Sequence, residues 1–189
     1  MGLFSRNPRE PFDEIRLPST GLTSPVTVEP GDFEIVDQLM EQFNSAIGNN
    51  ELIQQFGPAM QRAGGWISFE ATLDMVAEYP GSVNYIDRPW RWLAAVANEA
   101  EFRGNYVLTS KIAGFTEFWS RNFAPNMTPS EWAWGMPSAP PDISRMSIGH
   151  AFQRAARNLD ADSIILQNST GKLTVNLIQQ MVEEFLAGS

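Results

Sequence analysis

The sequence contains no cysteine and a single histidine, His150. A thiol nucleophile, a thiolate metal site, a disulfide framework and a multi-histidine metal cluster are excluded by composition alone. Basic side chains are also few. Thirteen Lys and Arg face 22 Asp and Glu, for a formal charge of −9, and this balance argues against a broad basic face that would hold a polyanion. Long apolar runs are missing too: the longest, such as Trp92 to Ala97, fall far short of the roughly 18 residues of a membrane span. Met1-Gly2-Leu3-Phe4-Ser5-Arg6 has neither the apolar core of a secretory signal nor the hydroxyl that an N-myristoylation site needs at position six. No membrane insertion is expected, and the expected location is the cytoplasm or the interior of a particle.

What is present is acid, proline and aromatic surface, unevenly placed. Between Gly31 and Pro80 there are eight acids (Asp32, Glu34, Asp37, Glu41, Glu51, Glu70, Asp74 and Glu78) against one base, Arg62. A solvated outer face on two or three helices accounts for such a run, and an acidic nucleic-acid mimic would share it. The first thirty residues carry Pro8, Pro11, Pro18, Pro25 and Pro30. Each fixes its own φ and pushes its predecessor toward extended geometry, so no helix runs through them. Phe4, Phe12, Ile15, Leu17, Leu22, Val26 and Val28 are spaced through the same stretch, whereas disordered linkers are poor in such groups. Residues 1–30 are thus expected to form an extended arm that covers a surface.

From Asp32 the period becomes helical. Phe33, Val36, Leu39, Met40, Phe43 and Ile47 recur at three- and four-residue steps up to Gly48. A short segment through Leu52, Ile53 and Phe56 breaks at Gly57-Pro58 and restarts through Ala59 and Met60, and Ser68 caps a helix through Phe69, Leu73, Val76 and Tyr79. A helix from Asp87, with Pro89 in its first turn, runs through Trp90, Leu93, Ala94 and Ala97 to Gly104; the next places Leu108, Ile112, Phe115 and Trp119 on one face. The tight Gly104-Asn105 turn makes these two an antiparallel hairpin. Thr128-Pro129-Ser130-Glu131 reads as a capping box ahead of Trp132 and Trp134, and Pro137 to Pro141 as a stiff connector. A helix from about Asp142 turns Ile148, Phe152, Ala155 and Leu159 inward and Arg145, Arg154 and Arg157 outward. A short β-hairpin near 163–175 and a terminal helix showing Ile178, Met181, Val182, Phe185 and Leu186 close the chain. The expected fold is mainly α: one domain over residues 31–189 with six to eight helices, preceded by the arm.

No constellation of residues announces a reaction. Thr170-Gly171-Lys172-Leu173-Thr174 resembles a phosphate-binding loop only superficially, because Leu166 stands where the motif needs glycine and Leu173 where it needs a hydroxyl. A turn followed by an N-cap at Thr174 is the better reading. His150 shares a helix with Ser144, Ser147 and Asp142, but nothing marks the orienting group or oxyanion donors that nucleophilic catalysis requires. Glu101 and Glu117, across the helical hairpin, are the best candidates for a carboxylate pair. Tyr85-Ile86-Asp87-Arg88-Pro89-Trp90-Arg91-Trp92 is the most distinctive cluster. Two indoles beside two guanidinium groups suit an interface anchor, with one of Trp90 and Trp92 in the core and the other facing a partner.

The functional expectation is a non-catalytic assembly subunit without cofactor or metal, in contact with other protein subunits of its own or another kind. Phe4, Phe12, Ile15, Leu17, Leu22, Arg88, Trp90, Arg91, Trp92, Trp132 and Trp134 are its candidate interface residues. A neck or tail component of a phage-like virion is the most concrete form of this reading. The alternatives are a small carboxylate-dependent enzyme or ligand-binding helical domain, and an acidic inhibitor that mimics nucleic acid.

Overall fold

A computed structural model describes residues 27–47, 56, 59–60, 88–122, 140–168 and 171–188. Over these the chain is mainly helical. Helix α1 spans Asp32–Ala46, α2 Arg88–Phe102, α3 Tyr106–Asn122, α4 Asp142–Ala156 and α5 Val175–Gly188, and a hairpin of β1 (Ile164–Asn168) and β2 (Gly171–Thr174) precedes α5. These five helices are fewer than the six to eight expected. The segments expected at 68–79 and around Trp132, and the arm before Thr27, lie outside the described residues, and of the short segment at 52–60 only Phe56, Ala59 and Met60 are described, in helical conformation.

Helix α3 is the axis of the fold. Leu108, Ile112, Ala113, Phe115 and Trp119 are buried, and so are Thr109, Ser110, Thr116 and Glu117, which leaves few sides open to water. Three of its hydroxyls stay satisfied by bonding inside the helix: Ser110 donates to Tyr106 O, Thr116 to Ile112 O and Ser120 to Thr116 O, at 2.8, 2.8 and 2.6 Å. The Thr109 hydroxyl is shared between Asn105 O one turn back at 3.3 Å and Ala97 O of α2 at 3.0 Å. The other four helices and β1 all pack against α3.

Local chemistry explains the α2–α3 turn. Gly104 has φ +82°, in the left-handed region. Its N–H donates to Glu101 O at 3.0 Å and that of Asn105 to Ala100 O at 2.8 Å, the 5→2 and 6→1 bonds of a Schellman stop. Asn105 then starts α3, its Oδ1 accepting from Leu108 N–H at 3.3 Å.

Aromatic rings knit α1, α2 and α3 together. Phe43 lies 4.7 Å from Phe115 edge-on and 5.3 Å from Phe56, while Trp90 stacks on Phe115 at 5.4 Å and 13°. Phe43, Trp90, Phe115 and Trp119 are fully buried. At the root of the arm, Asp32 Oδ2 accepts from the Glu29 N–H at 2.8 Å and from the Trp92 indole at 3.2 Å, and Val28 packs on the core. The start of α1 is therefore tied to α2.

The hairpin is antiparallel, with Gln167 opposite Lys172, Asn168 opposite Gly171 and a register irregularity between Ile164 and Leu166. Ile165 and Leu166 are buried. Thr174 caps α5 as the sequence predicts, its hydroxyl accepting from Leu177 N–H at 3.3 Å. Gly171–Thr174 is thus a hairpin strand ending in a helix cap, not part of a phosphate loop, while Thr170 lies outside the described residues.

Candidate functional site

Two kinds of surface surround α3, one charged and closed, the other apolar and open. The closed one lies under α4. Arg145 was expected to face outward, but its side chain is only 18% exposed; Nε and Nη2 donate to Glu117 Oε1 and Oε2 at 3.0 and 2.6 Å. The Phe185 ring of α5 covers the guanidinium, whose Cζ lies 3.8 Å from the ring centroid. Physical necessity explains the inward turn: Glu117 is 2% exposed, and a carboxylate removed from water needs a cation with bidentate geometry.

A second seam crosses α4 and α2. Arg154 donates through Nε to Glu101 Oε2 at 3.3 Å and through Nη2 to Asn98 Oδ1 at 3.1 Å, while Asn98 donates to Ser147 Oγ at 2.9 Å. Arg154 is partly exposed and Arg157 exposed, as expected.

These seams correct the proposed carboxylate pair. Glu101 ends α2 beside the Gly104 turn, so an antiparallel hairpin sets it against the start of α3, whereas Glu117 lies near the far end. Their partners Arg154 and Arg145 stand nine residues apart on α4, about 13 Å along its axis. Paired glycosidase carboxylates sit about 5 to 9.5 Å apart. His150 is exposed on α4 with Nδ1 3.3 Å from Gln153 Oε1, whereas Ser144 is buried on a different face of the helix, so these two do not come together. Among the described residues no group of three or more His, Asp or Glu is placed to hold a metal ion, and no helix is long and apolar enough to cross a membrane.

A third polar contact joins α3 to the acidic helix. Lys111 Nζ donates to Asp37 Oδ1 at 2.7 Å and to Glu41 Oε1 at 2.9 Å. Burial by itself lowers the pKa of this ammonium, but the hydrogen bonds and charges of Asp37 and Glu41 outweigh burial and raise it above 10.5. Two of the acids in the Gly31–Pro80 run therefore serve the chain's own packing.

The structure also corrects the reading of the indole cluster. Trp90 and Trp92 are 0% and 4% exposed and Arg91 5%. All three are interior, and on the face away from Trp90 the start of α1 supplies Asp32 to the Trp92 N–H. Arg88 is the first residue of α2. Phe4, Phe12, Ile15, Leu17, Leu22, Trp132 and Trp134 lie outside the described residues.

The open surface is a groove of about 220 Å³ between the C-terminal part of α1, α3, the hairpin and α5. Phe43, Ile47, Phe118, Leu166, Leu173 and Leu177 supply its apolar lining, with Lys172 and Gly171 at the hairpin side. One wall depends on glycine. A Cβ on Gly114 would meet Leu173 Cδ2 at 2.7 Å and Ile178 Cδ1 at 3.1 Å, so the bare α3 backbone lets β2 and α5 approach closely. Asn44 seats the other wall by donating to Gln167 O of β1 at 2.7 Å. Sequence periodicity could not reveal the groove, whose lining comes from four separate elements; the signal it left was Leu166 and Leu173 on facing strands.

No protein-family model, curated protein or solved structure matches the chain. Its function has to be argued from its own geometry.

Proposed function

We propose that the chain is a non-catalytic assembly subunit whose N-terminal arm contacts a neighbouring protein subunit. The open apolar groove carries this reading. It presents aliphatic and aromatic side chains to solvent on a molecule whose interior charges, Glu117, Glu101 and Lys111, already have partners. Such a surface is suited to taking up apolar side chains from another polypeptide. The apolar, proline-punctuated sequence ahead of Thr27 supplies groups that need such a surface. Phe102 and Val107, both exposed beside the Gly104 turn, add a smaller apolar contact at the hairpin tip. A neck or tail subunit of a phage-like particle is the concrete setting in which embracing arms of this kind operate.

Sedimentation of the full chain and of a form lacking residues 1–26 tests the proposal. The truncation spares Val28 and Glu29, which belong to the fold. Species heavier than the 21.1 kDa chain that collapse on arm removal are expected. A full chain that stays at 21.1 kDa at every concentration rules the proposal out.

A further inference from the structure

We propose that the groove between α1, α3, the hairpin and α5 is the receptor for the arm of a second copy of the chain, with Phe12 and Ile15 as the inserted side chains. This rests on the assembly reading and names the partner that fills the site.

Four observations converge on that occupant. The first is spacing. Pro11 and Pro18 bracket Phe12-Asp13-Glu14-Ile15-Arg16-Leu17, and proline favours polyproline II geometry, with three residues per turn. In that geometry residues three apart share one edge roughly 9 Å apart, the spacing that would let Phe12 and Ile15 serve as two anchors for one groove. Such a segment also loses little backbone entropy when it docks.

The second is charge. Asp13 and Glu14 lie between the two anchors, and the groove carries Lys172 on its hairpin lip, exposed to solvent. An acidic pair flanked by apolar anchors complements a cation on the lip of an apolar trough.

The third is the composition of the groove. Ile47, Phe118 and Leu173, half-buried, offer ring and branched aliphatic surface over the buried Phe43 and Leu166, with Leu177 open at the rim, 41% exposed. This suits one aromatic and one β-branched side chain.

The fourth is topology, which favours a second copy over the chain's own arm. The described chain starts at the N-terminal end of α1, whereas the groove opens at its C-terminal end, about 22 Å away along the helix. The direct way back along α1 crosses its outward face, formed by Glu34, Gln38, Glu41 and Gln42 with Ile35 the one large apolar group. That face leaves Leu17, Leu22 and Val26 little to bury against. A neighbour reached by an outstretched arm brings fresh surface for them. Exchange of arms between copies yields either a closed pair or a ring, depending on the rotation between subunits.

The test uses full-length chains and separates this inference from the assembly reading. One variant, Leu177→Glu, spoils the groove at an exposed rim position; the other, Phe12→Asp with Ile15→Asp, spoils the arm. Sedimentation equilibrium of each alone should show association weakened at least tenfold. An equimolar mixture should regain a two-chain species, since one copy keeps a sound arm and the other a sound groove. Circular dichroism of Leu177→Glu checks that it folds, and Lys172→Glu, at a second exposed position on the lip, should weaken association in the same direction. If Leu177→Glu and Lys172→Glu both associate as the parent does while the arm variant falls apart, the groove is not the receptor although the assembly reading survives. If the two variants fail to complement each other on mixing, the exchange between copies is wrong. A parent chain that is monomeric throughout removes both.

Discussion

The two flanks of α3 solve opposite problems. On the α4 side, carboxylates withdrawn from water find directed partners: Glu117 with Arg145 at two contacts, Glu101 with Arg154, and Asn98 between Arg154 and Ser147. On the groove side the lining is apolar, and the polar contact that shapes it, from Asn44 to Gln167 O, lies at its edge. Directed bonds tolerate one arrangement, while apolar contact tolerates several. The comparison teaches that the α2–α3–α4 face is held by directed polar bonds, whereas the groove is lined mainly by apolar side chains with Lys172 at its lip.

The comparison breaks most visibly at the buried ion pair. Arg145→Met leaves the Glu117 carboxylate in the interior without its cation, which should lower stability by about 3 to 5 kcal/mol. A second change, Glu117→Leu on the same chain, should restore most of that loss, because an apolar pair avoids the desolvation that the ion pair only offsets. Urea midpoints for the two single variants and the double variant measure both effects. If Arg145→Met costs less than about 1 kcal/mol, the α4 flank is not held by its directed bonds.

Much of the helical framework was legible in the sequence, because its elements rest on local signals. Leu108, Ile112, Phe115 and Trp119 share one buried face of α3 as their spacing requires, Gly104 makes the turn, and Thr174 makes the cap. The ion pair was not legible, because pairing across helices depends on which faces meet. A clue existed all the same. Helix α3 holds only Lys111, Glu117 and Arg121 as charges in 17 residues, and a helix so apolar around its circumference is a central one whose charges need partners. The roles of Trp90 and Trp92 misled for the same reason: opposite faces of α2 implied one wet indole, whereas Trp92 is buried too and bonded to Asp32 at the start of α1. The groove was beyond reach, since no local period joins residues 43, 118, 166, 173 and 177.

A smaller effect sharpens the groove side. Gly114→Ala improves helix propensity by about 1 kcal/mol, yet its Cβ must displace Leu173 and Ile178, at a cost of about 1 to 3 kcal/mol for overpacking. The net loss should be no more than about 2 kcal/mol, and Leu173 should be driven toward the groove. Truncating the obstruction separates the two terms. In a Leu173→Ala background the same Gly114→Ala change should become neutral or stabilising, by up to about 1 kcal/mol. A penalty that persists unchanged in that background would place the strain on Ile178 and leave the groove wall intact.

The gentlest probe lies where the acidic helix meets α3. Replacing Lys111 by Met removes two charge-assisted hydrogen bonds, but Asp37 and Glu41 are half exposed, so water screens much of the gain and about 1 kcal/mol is expected. Its pH dependence gives the sharper test. The Lys111 pKa is raised in the folded chain above 10.5, so the contribution is fully present below 10.5 and disappears as pH climbs through the folded value. The stability gap between parent and Lys111→Met should therefore stay level from about pH 6 to 9 and close at higher pH. A gap that widened on the alkaline side would mean that burial outweighs the two carboxylates, and that this contact is a cost the fold tolerates instead of a tie between α1 and α3.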